Sequence, residues 1–355
     1  MKKISMLLAL VLAISLLAGC AGTPVVYYSN CTCPEGSHDV ANTPATLPAT
    51  PALPTVTGGL KTGVSFATTL TDSAQGKAQY DVSMVAVLVD EDGIIHDCVI
   101  DGISAATTFD ETGTITTELT PVQTKNEQGE YYGMVAYGNA VAEWDQQAAA
   151  VANFVIGKKA ADLATGVVDE SGHAVDADLA TTATIYIGGF VNQIMEAAAN
   201  AQYLGAQSGD KLKLAAVTDR SSSVSASAEA AGNAQLDVTI TALTLAGDTI
   251  TSCYIDGVQA KVAFDETGTI TSDLAAPQTK NQLGDAYGMV AWGNAIAEWN
   301  QQAASFADYV TGKTAAQVQG IAVDEATHPT DADLAASVTI AIGGFQDLIQ
   351  KACNQ

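Results

Sequence analysis

A long segment of this chain occurs twice, and the two copies lie 155 residues apart. The stretch Cys98–Gly102 recurs as Cys253–Gly257, and the same spacing holds without a gap to Phe190 and Phe345. More than half of the aligned positions are identical. Because the units of solenoid proteins run to only about 20–50 residues, copies of this length are predicted to be two tandem globular domains.

The duplication sets the domain boundaries. We assign residues 59–204 to the first domain and residues 205–355 to the second. Each copy has strand and helix signals of its own and is long enough to bury a core, so each is expected to fold alone. The link at 207–210 leaves open whether the two domains pack together or swing.

The amino-terminal residues predict export and a lipid anchor. A basic Lys2-Lys3 pair precedes an apolar run from Met6 to Leu17, and small residues lead to Cys20. This order is typical of a signal peptide over residues 1–19 and resembles a bacterial lipobox, with cleavage before Cys20 and lipid on its sulfur. The predicted location is the extracytoplasmic face of the cell membrane. A plain signal peptide or an uncleaved helix are the alternatives.

Residues 20–58 are predicted to be a tether. This stretch holds six of the nine prolines of the chain. Proline fixes φ and removes a hydrogen-bond donor, so the segment is expected to be extended and to have no packed core.

Charge and cysteine content exclude several classes of function. The formal net charge is −25, and Arg220 is the one arginine, so nucleic acid is excluded as a partner, because phosphate contacts need a basic face. Six cysteines are too few for a disulfide framework in a chain of this length. The equivalent Cys98 and Cys253 lie in apolar strands and are predicted to be buried thiols.

Strands come first in each repeat and helices follow. Val82–Val89 is predicted to be a central strand, and residues 94–101 return antiparallel after an acidic-glycine turn. A helical stripe begins at Val141 and ends before Gly157, a short helix is predicted over 158–163, and a last helix over about Thr181–Asn200. Strands without β-α alternation indicate an α+β fold, in which each repeat is an antiparallel sheet packed with C-terminal helices.

Three further motifs follow the hairpin in both copies. A Gln-Thr-Lys-Asn loop occurs at 123–129 and again at 278–284. An acidic and threonine-rich stretch occurs at 178–184 and again at 333–339. Between them lies a tryptophan followed by an aromatic-x-x-Gly-Lys sequence, at Trp144 and Trp299.

This order of motifs resembles the FMN-binding domain family. The family includes the G subunit of the Rnf electron-transport complex, its counterpart in the sodium-pumping quinone reductase, and many Gram-positive lipoproteins. Members end with a D-x-x-S-G-A-T motif whose last threonine can be esterified by FMN phosphate through a flavin transferase. The resemblance implies an electron carrier that works with that transferase and with a membrane quinone or NADH oxidoreductase. The cofactor would carry the chemistry, so we expect an electron-transfer protein more than an enzyme with a substrate of its own.

The resemblance implies a set of cofactor-binding residues in both repeats. Thr184 and, second to it, Thr339 take the place of the flavin-bearing threonine. The other expected FMN contacts are Asp178, Asp333, Thr181, Thr124, Thr279, Lys125, Lys280, Gly284, Tyr132, Tyr287, Met134 and Met289. Thr181–Thr184 is expected to lie at a helix N-terminus, where free N–H groups stabilise a phosphate.

The repeats depart from the family at one position with a physical consequence. Thr182 and Ser337 stand where the family has glycine, and glycine supplies positive φ and close backbone approach. This substitution, together with the Gln and Lys-Asn that both loops have where the family has Glu and Pro-Gly, favours an alternative, a surface-binding or structural lipoprotein that kept the fold and lost the flavin. Two further alternatives are open: Asp178 and Asp333 as simple helix N-caps, and a metal site that joins them to His173 and His328.

Overall fold

Each repeat begins with a three-stranded antiparallel sheet whose strands are adjacent in sequence order. The computed structural model describes residues 58–355, so the predicted signal peptide, Cys20 and nearly all of the tether lie outside the described residues. The strands are β1 (Lys61–Thr69), β2 (Lys77–Val89) and β3 (Ile95–Thr108), then β4 (Lys211–Asp219), β5 (Gly232–Ala246) and β6 (Thr249–Phe264).

Short helices follow the strands in both repeats, which confirms the α+β fold of two tandem repeats. In the first repeat they are α1 (Lys125–Gln128), α2 (Met134–Gly138), α3 (Trp144–Val155), α4 (Ala177–Thr182) and α5 (Gly188–Ala199). In the second they are α6 (Lys280–Leu283), α7 (Met289–Gly293), α8 (Trp299–Val310), α9 (Ala315–Gln319), α10 (Ala332–Ala335) and α11 (Gly343–Cys353). Single 3-10 turns occur at Gly129–Tyr132, Ala160–Ala164 and Gly284–Tyr287.

The predicted hairpin is confirmed, and its central strand is buried on both faces. β2 pairs with β1 on one side and with β3 on the other. Because successive side chains of a strand point to opposite faces, Tyr80 and Met84 face one core while Val85 and Val87 face another. A strand that is apolar on both faces therefore separates two layers of packing.

The helices cover one face of each sheet. In the first repeat α3 and α5 bury Ala148, Val151 and Ile194 against the sheet. In the second, α8 and α11 bury Phe306 and Leu348 in the same way. The predicted helical stripe is confirmed from Trp144 onward, whereas Val141 precedes the helix and is 60% exposed.

The other face of each sheet packs against the sheet of the other repeat. One core contains Tyr80 and Met84 of the first repeat together with Leu236 and Phe264 of the second. The order of layers is therefore helices, sheet, sheet, helices. Burial of one such large side chain is worth about 1.5–3 kcal/mol, so a substantial part of the stability comes from packing between the repeats.

An approximate two-fold axis relates the two repeats. A β-carbon added to Gly113 would lie 2.8 Å from the carbonyl oxygen of Asp265, and one added to Gly268 would lie 2.7 Å from that of Asp110. These four residues are two equivalent pairs, so the contact is reciprocal. The shared core opposes the expectation that each repeat folds alone.

The prediction of one last helix over Thr181–Asn200 is wrong. α4 ends at Thr182, and α5 begins only at Gly188. The hydroxyls of Thr181 and Thr182 donate to the carbonyl oxygens of Asp178 and Leu179. Threonines that bond back to preceding carbonyls compete with helical N–H groups, and the helix stops there.

No helix within residues 58–355 is both long and apolar enough to cross a membrane. Cys98 and Cys253 are buried and free, which confirms that they are thiols of the core. Burial raises the pKa of the Cys253 thiol to about 12, so the thiol stays protonated and unreactive at neutral pH.

Candidate functional site

The Gln-Thr-Lys-Asn loop of each repeat is fixed by a capping box. The side chain of Thr124 accepts the N–H of Glu127 at 3.2 Å, and the Glu127 carboxylate accepts the N–H of Thr124 at 2.9 Å. Thr279 and Gln282 form the same pair in the second repeat. The two threonines are buried and satisfied as N-caps, so their positions have a structural explanation.

The predicted lysines point into the protein. The Lys125 ammonium lies 5.1 Å from the centroid of the Tyr132 ring and 4.8 Å from that of the Trp144 ring. Burial lowers its pKa, while the charges of Asp81 and Asp101 act in the opposite direction. The cation is therefore held by aromatic faces and two carboxylates rather than presented to a phosphate.

The second repeat has the same arrangement. The Lys280 ammonium lies 5.1 Å from the Tyr287 ring centroid and 4.5 Å from that of Trp299, with Asp237 and Asp256 nearby. Tyr132, Met134, Tyr287 and Met289 are half-buried and pack against the helix–sheet cores. Gly284 caps α6 with φ of +49°, a backbone conformation that favours glycine.

A buried aspartate lies beside each lysine. Asp101 accepts the N–H of Gly102 at 2.7 Å and that of Asn126 at 3.1 Å. Burial raises its pKa to about 6, and the hydrogen bonds offset only part of that rise. Asp256 is its equivalent, and burial raises its pKa too. The sequence shows this Asp-Gly pair twice but does not reveal that the carboxylate is buried.

The predicted flavin-bearing threonines are exposed and lie at equivalent places. Thr184 and Thr339 each follow a short helix, so the expected location at a helix N-terminus is wrong. Asp176 and Asp331, rather than Asp178 and Asp333, are the N-caps of those helices. The acidic and threonine-rich segment of each repeat therefore ends at an exposed threonine and does not present the free N–H groups of a helix N-terminus.

A buried glutamine holds each of these threonines. The Gln147 side-chain oxygen accepts the N–H of Thr184 at 2.8 Å, the N–H of Ile185 at 3.2 Å and the Thr184 hydroxyl at 3.3 Å. Its side-chain nitrogen donates to the carbonyl of Ala142 at 2.8 Å. Gln302 does the same for Thr339 at 2.7 Å. The backbone of Thr184 is thus anchored to the first turn of α3, and the backbone of Thr339 is anchored to the first turn of α8.

A glutamate one turn earlier anchors an exposed loop. The Glu143 carboxylate accepts the N–H groups of Met134 and Val135 at 2.8 and 3.0 Å. Side chains four residues apart on a helix are neighbours, with β-carbons about 5–6 Å apart. Glu143 and Gln147 therefore bring the loop of α2 and the segment of Thr184 to the same end of α3.

That loop presents large apolar side chains to solvent in both repeats. Tyr137 is 91% exposed, and its equivalent Trp292 is 90% exposed. Val141 and Ile296 are a second exposed equivalent pair. The sequence analysis missed Gln147, Gln302 and the two exposed rings. The signal for the glutamines was present, because Glu-Trp-x-Gln-Gln is identical in both copies.

Neither position with a missing glycine needs one. Within residues 58–355 the non-glycine residues with positive φ are Asn139, Asn294 and Thr327. Thr182 and Ser337 are not among them, so a β-carbon at those positions causes no backbone strain. The departure from the family motif therefore has no conformational cost in this fold.

The metal alternative has no support in the described part of the chain. No group of three His, Cys, Asp or Glu side chains within residues 58–355 is placed to hold a metal ion. His328 instead closes a turn, in which its backbone N–H donates to the Asp324 carboxylate at 2.8 Å. The imidazole of His173 lies 3.0 Å from the hydroxyl of Ser171.

Comparisons with protein-family models, with curated proteins and with solved structures found no match for this chain.

Proposed function

We propose that this protein is a membrane-anchored, extracytoplasmic electron carrier that bears FMN as a phosphoester on Thr184 and on Thr339. One observation supports this most directly. Both threonines are exposed at equivalent positions, and the hydroxyl of each donates to a buried glutamine side chain. The two threonine motifs resemble that of the FMN-binding domain family, and this resemblance is the reason for proposing FMN as the attached group.

The residues fit a flavin that is tethered and faces solvent. The threonine oxygen of each exposed residue would attack the FMN phosphorus of a flavin dinucleotide, the phosphoanhydride bond would break, and a nucleoside monophosphate would leave while the hydroxyl proton passes to solvent. The backbone N–H groups of Thr184 and Ile185 already donate to Gln147, so they are not free to hold that phosphate. The flavin is therefore retained mainly by the covalent bond. The exposed rings of Tyr137 and Trp292 are candidate stacking surfaces for the isoalloxazine ring.

The two repeats present their threonines alike, and this changes the expected order of attachment. The sequence motif favours Thr184 over Thr339. The backbone hydrogen bonds to the glutamines differ by only 0.1 Å between the repeats, 2.8 against 2.7 Å. We therefore propose that a flavin transferase modifies both.

Co-expression with a flavin transferase, followed by intact-mass measurement, tests this proposal. The wild-type protein should gain two FMN groups, each of Thr184→Ala and Thr339→Ala should gain one, and the double variant none. Thr165→Ala is the matched control, because it removes an exposed threonine of the first repeat that lies outside the motif, and it should still gain two FMN groups. An unmodified wild-type protein, with an active transferase shown by a known substrate, would overturn the proposal.

The exposed loops favour one second candidate, the non-flavin surface-binding lipoprotein. Tyr137 and Trp292 give the two repeats matching apolar projections that no described residue covers. Binding to insoluble cell-wall material of the producing organism should then fall in the Tyr137→Ser, Trp292→Ser double variant. Unchanged binding in that variant would exclude the loops as the contact surface.

A further inference from the structure

A cavity of about 510 Å³ lies at one junction between the repeats. β1 and α5 form one wall, and β6 and α6 form the other. Polar side chains from both repeats line it: Ser65, Glu196, Tyr254, Asp256, Asn281 and Gln282. None of the residues around it is a lysine, arginine or histidine, so the cavity has two carboxylates and no cation.

The two-fold axis relates this cavity to a second junction, where a lysine side chain reaches from one repeat to the other. Glu196 of α5 is equivalent to Lys351 of α11, and Gln282 of α6 is equivalent to Glu127 of α1. At the second junction the Lys351 ammonium lies 2.6 Å from the Glu127 carboxylate and donates to the Ala216 carbonyl at 2.6 Å. The Lys351 ammonium, carried on four methylenes, thus occupies at the second junction the place that is open at the first.

The lysine is replaced by a residue of opposite charge at the open junction. Glu196 supplies a carboxylate where Lys351 supplies a cation, and the Ser65 hydroxyl donates to that carboxylate at 2.8 Å. The carbonyl that would correspond to Ala216 belongs to Phe66, which also lines the cavity. Phe66 and Ala216 are equivalent because β1 and β4 both begin at a lysine, Lys61 and Lys211, and pair alike.

The lining of the cavity includes one carboxylate that is already hydrogen-bonded and one acceptor that has no donor. The Asp256 carboxylate is 3% exposed and accepts the N–H groups of Gly257 at 2.7 Å and Asn281 at 3.1 Å. The side-chain oxygen of Asn281 is buried, with no hydrogen-bond partner among the described residues. A buried acceptor without a donor is destabilising, and an N–H donor that entered the cavity would satisfy it.

We propose that this cavity binds a small primary ammonium compound, whose ammonium group takes the place that Lys351 takes at the other junction. The volume and the mixed amide, hydroxyl and carboxylate lining suit an alkylammonium better than a bare metal ion. The absence of any three-residue metal group within residues 58–355 agrees with this choice. The inference concerns residues distinct from Thr184 and Thr339, so it stands apart from the flavin proposal.

Titration of the full mature chain with n-butylammonium tests the site, because this ion has the length of a lysine side chain. Calorimetry should show saturable binding of one equivalent, and the side-chain amide NMR signals of Asn281 and Gln282 should shift. n-Butanol, which has the same carbon chain and no charge, should produce neither effect. The Glu196→Gln variant should bind about fivefold more weakly, since one ion pair of this kind is worth about 1 kcal/mol.

Two charge-swap variants give the decisive comparison. Glu196→Lys should abolish binding, because its own ammonium would enter the cavity, and a melting curve would show that the protein is folded. Lys351→Glu combined with Glu127→Gln should open the second junction and raise the stoichiometry from one to two. Equal responses to n-butylammonium and n-butanol, full binding in Glu196→Lys, or one equivalent in the folded double variant would overturn the proposal.

Discussion

Phe109 and Phe264 stack face to face, with ring centroids 3.8 Å apart and ring planes within 6° of parallel. The two residues are equivalent, so a phenylalanine of one repeat meets its own counterpart from the other. Self-contact of this kind is typical of an isologous interface, here formed within one chain. The pair lies in the core that both sheets share.

We expect each ring of this pair to stabilise the whole described unit. Phe109→Ala and Phe264→Ala should each lower the free energy of unfolding by about 3–5 kcal/mol, because each leaves a cavity in a shared core. The double variant should lose less than the sum, with a coupling of about 0.5–1.5 kcal/mol from the stacked rings. Urea unfolding of the four proteins measures this, and strict additivity would contradict a direct contact.

Separate halves should not be stable monomers. Residues 59–204 alone would expose Tyr80, Met84 and the rest of that sheet face, and residues 205–355 would expose the matching face with Phe264. Each half should therefore associate or bind a hydrophobic dye, and mixing the two should restore a cooperative melt. Sharp, concentration-independent melting of either half as a monomer would argue that its helix–sheet core suffices.

Gln147→Ala should destabilise the Thr184 segment. The change leaves two N–H groups without their acceptor, and we expect a loss of about 1–3 kcal/mol in the free energy of unfolding. Flavin attachment at Thr184 should fall while attachment at Thr339 continues. Asn192→Ala, an exposed change on α5, is the control. Peptide mapping by mass spectrometry separates the two sites.

Thr182→Gly should leave the yield of flavin at Thr184 unchanged. The family motif has glycine at this position, but the backbone of Thr182 lies outside the positive-φ region. Glycine there removes no strain and adds only chain entropy to the unfolded state. A clear rise in yield, measured by intact mass against the wild type, would show that the side chain itself obstructs the transferase.

The Asp101 carboxyl should make stability depend on pH. Its pKa is raised from the ordinary value of 3.8 to about 6, so the native state holds this proton more tightly than the unfolded state. Between these two values the contribution of Asp101 to stability falls as pH rises, by up to about 3 kcal/mol. Asp101→Asn removes the titration, so its stability relative to wild type should increase from pH 4 to pH 7.

Asp110→Asn is the control, because its pH dependence of stability should have the opposite sign to that of Asp101→Asn. Hydrogen bonds from Thr112 and Thr114 lower the pKa of this exposed carboxyl, so its ionised form stabilises the turn. The stability of Asp110→Asn relative to wild type should therefore decrease as pH rises through the acid range. Denaturant unfolding at several pH values compares the two variants, and parallel pH profiles would contradict the assignment of buried and exposed roles.

Local sequence pattern was enough to predict the periodic features of this protein. The 155-residue repeat, the apolar β2 strand, the acidic-glycine turns and the stripe from Trp144 depend on local pattern, and the structure confirms them. The duplication also served as a two-copy alignment, which singled out Lys125, Thr184 and their counterparts.

The surroundings of those residues depend on contacts between distant parts of the chain. Strand periodicity shows that both faces of β2 are apolar, but it does not show that one of them meets the other repeat. Lys125 is half-buried because two aromatic rings and two carboxylates converge on it from separate elements. The N–H of Thr184, beyond the end of α4, donates to Gln147, which lies 37 residues earlier in the chain. Contacts between positions far apart in sequence leave no local signal, so the shared core, the held threonines and the cavity between the repeats are seen only when the chain is folded.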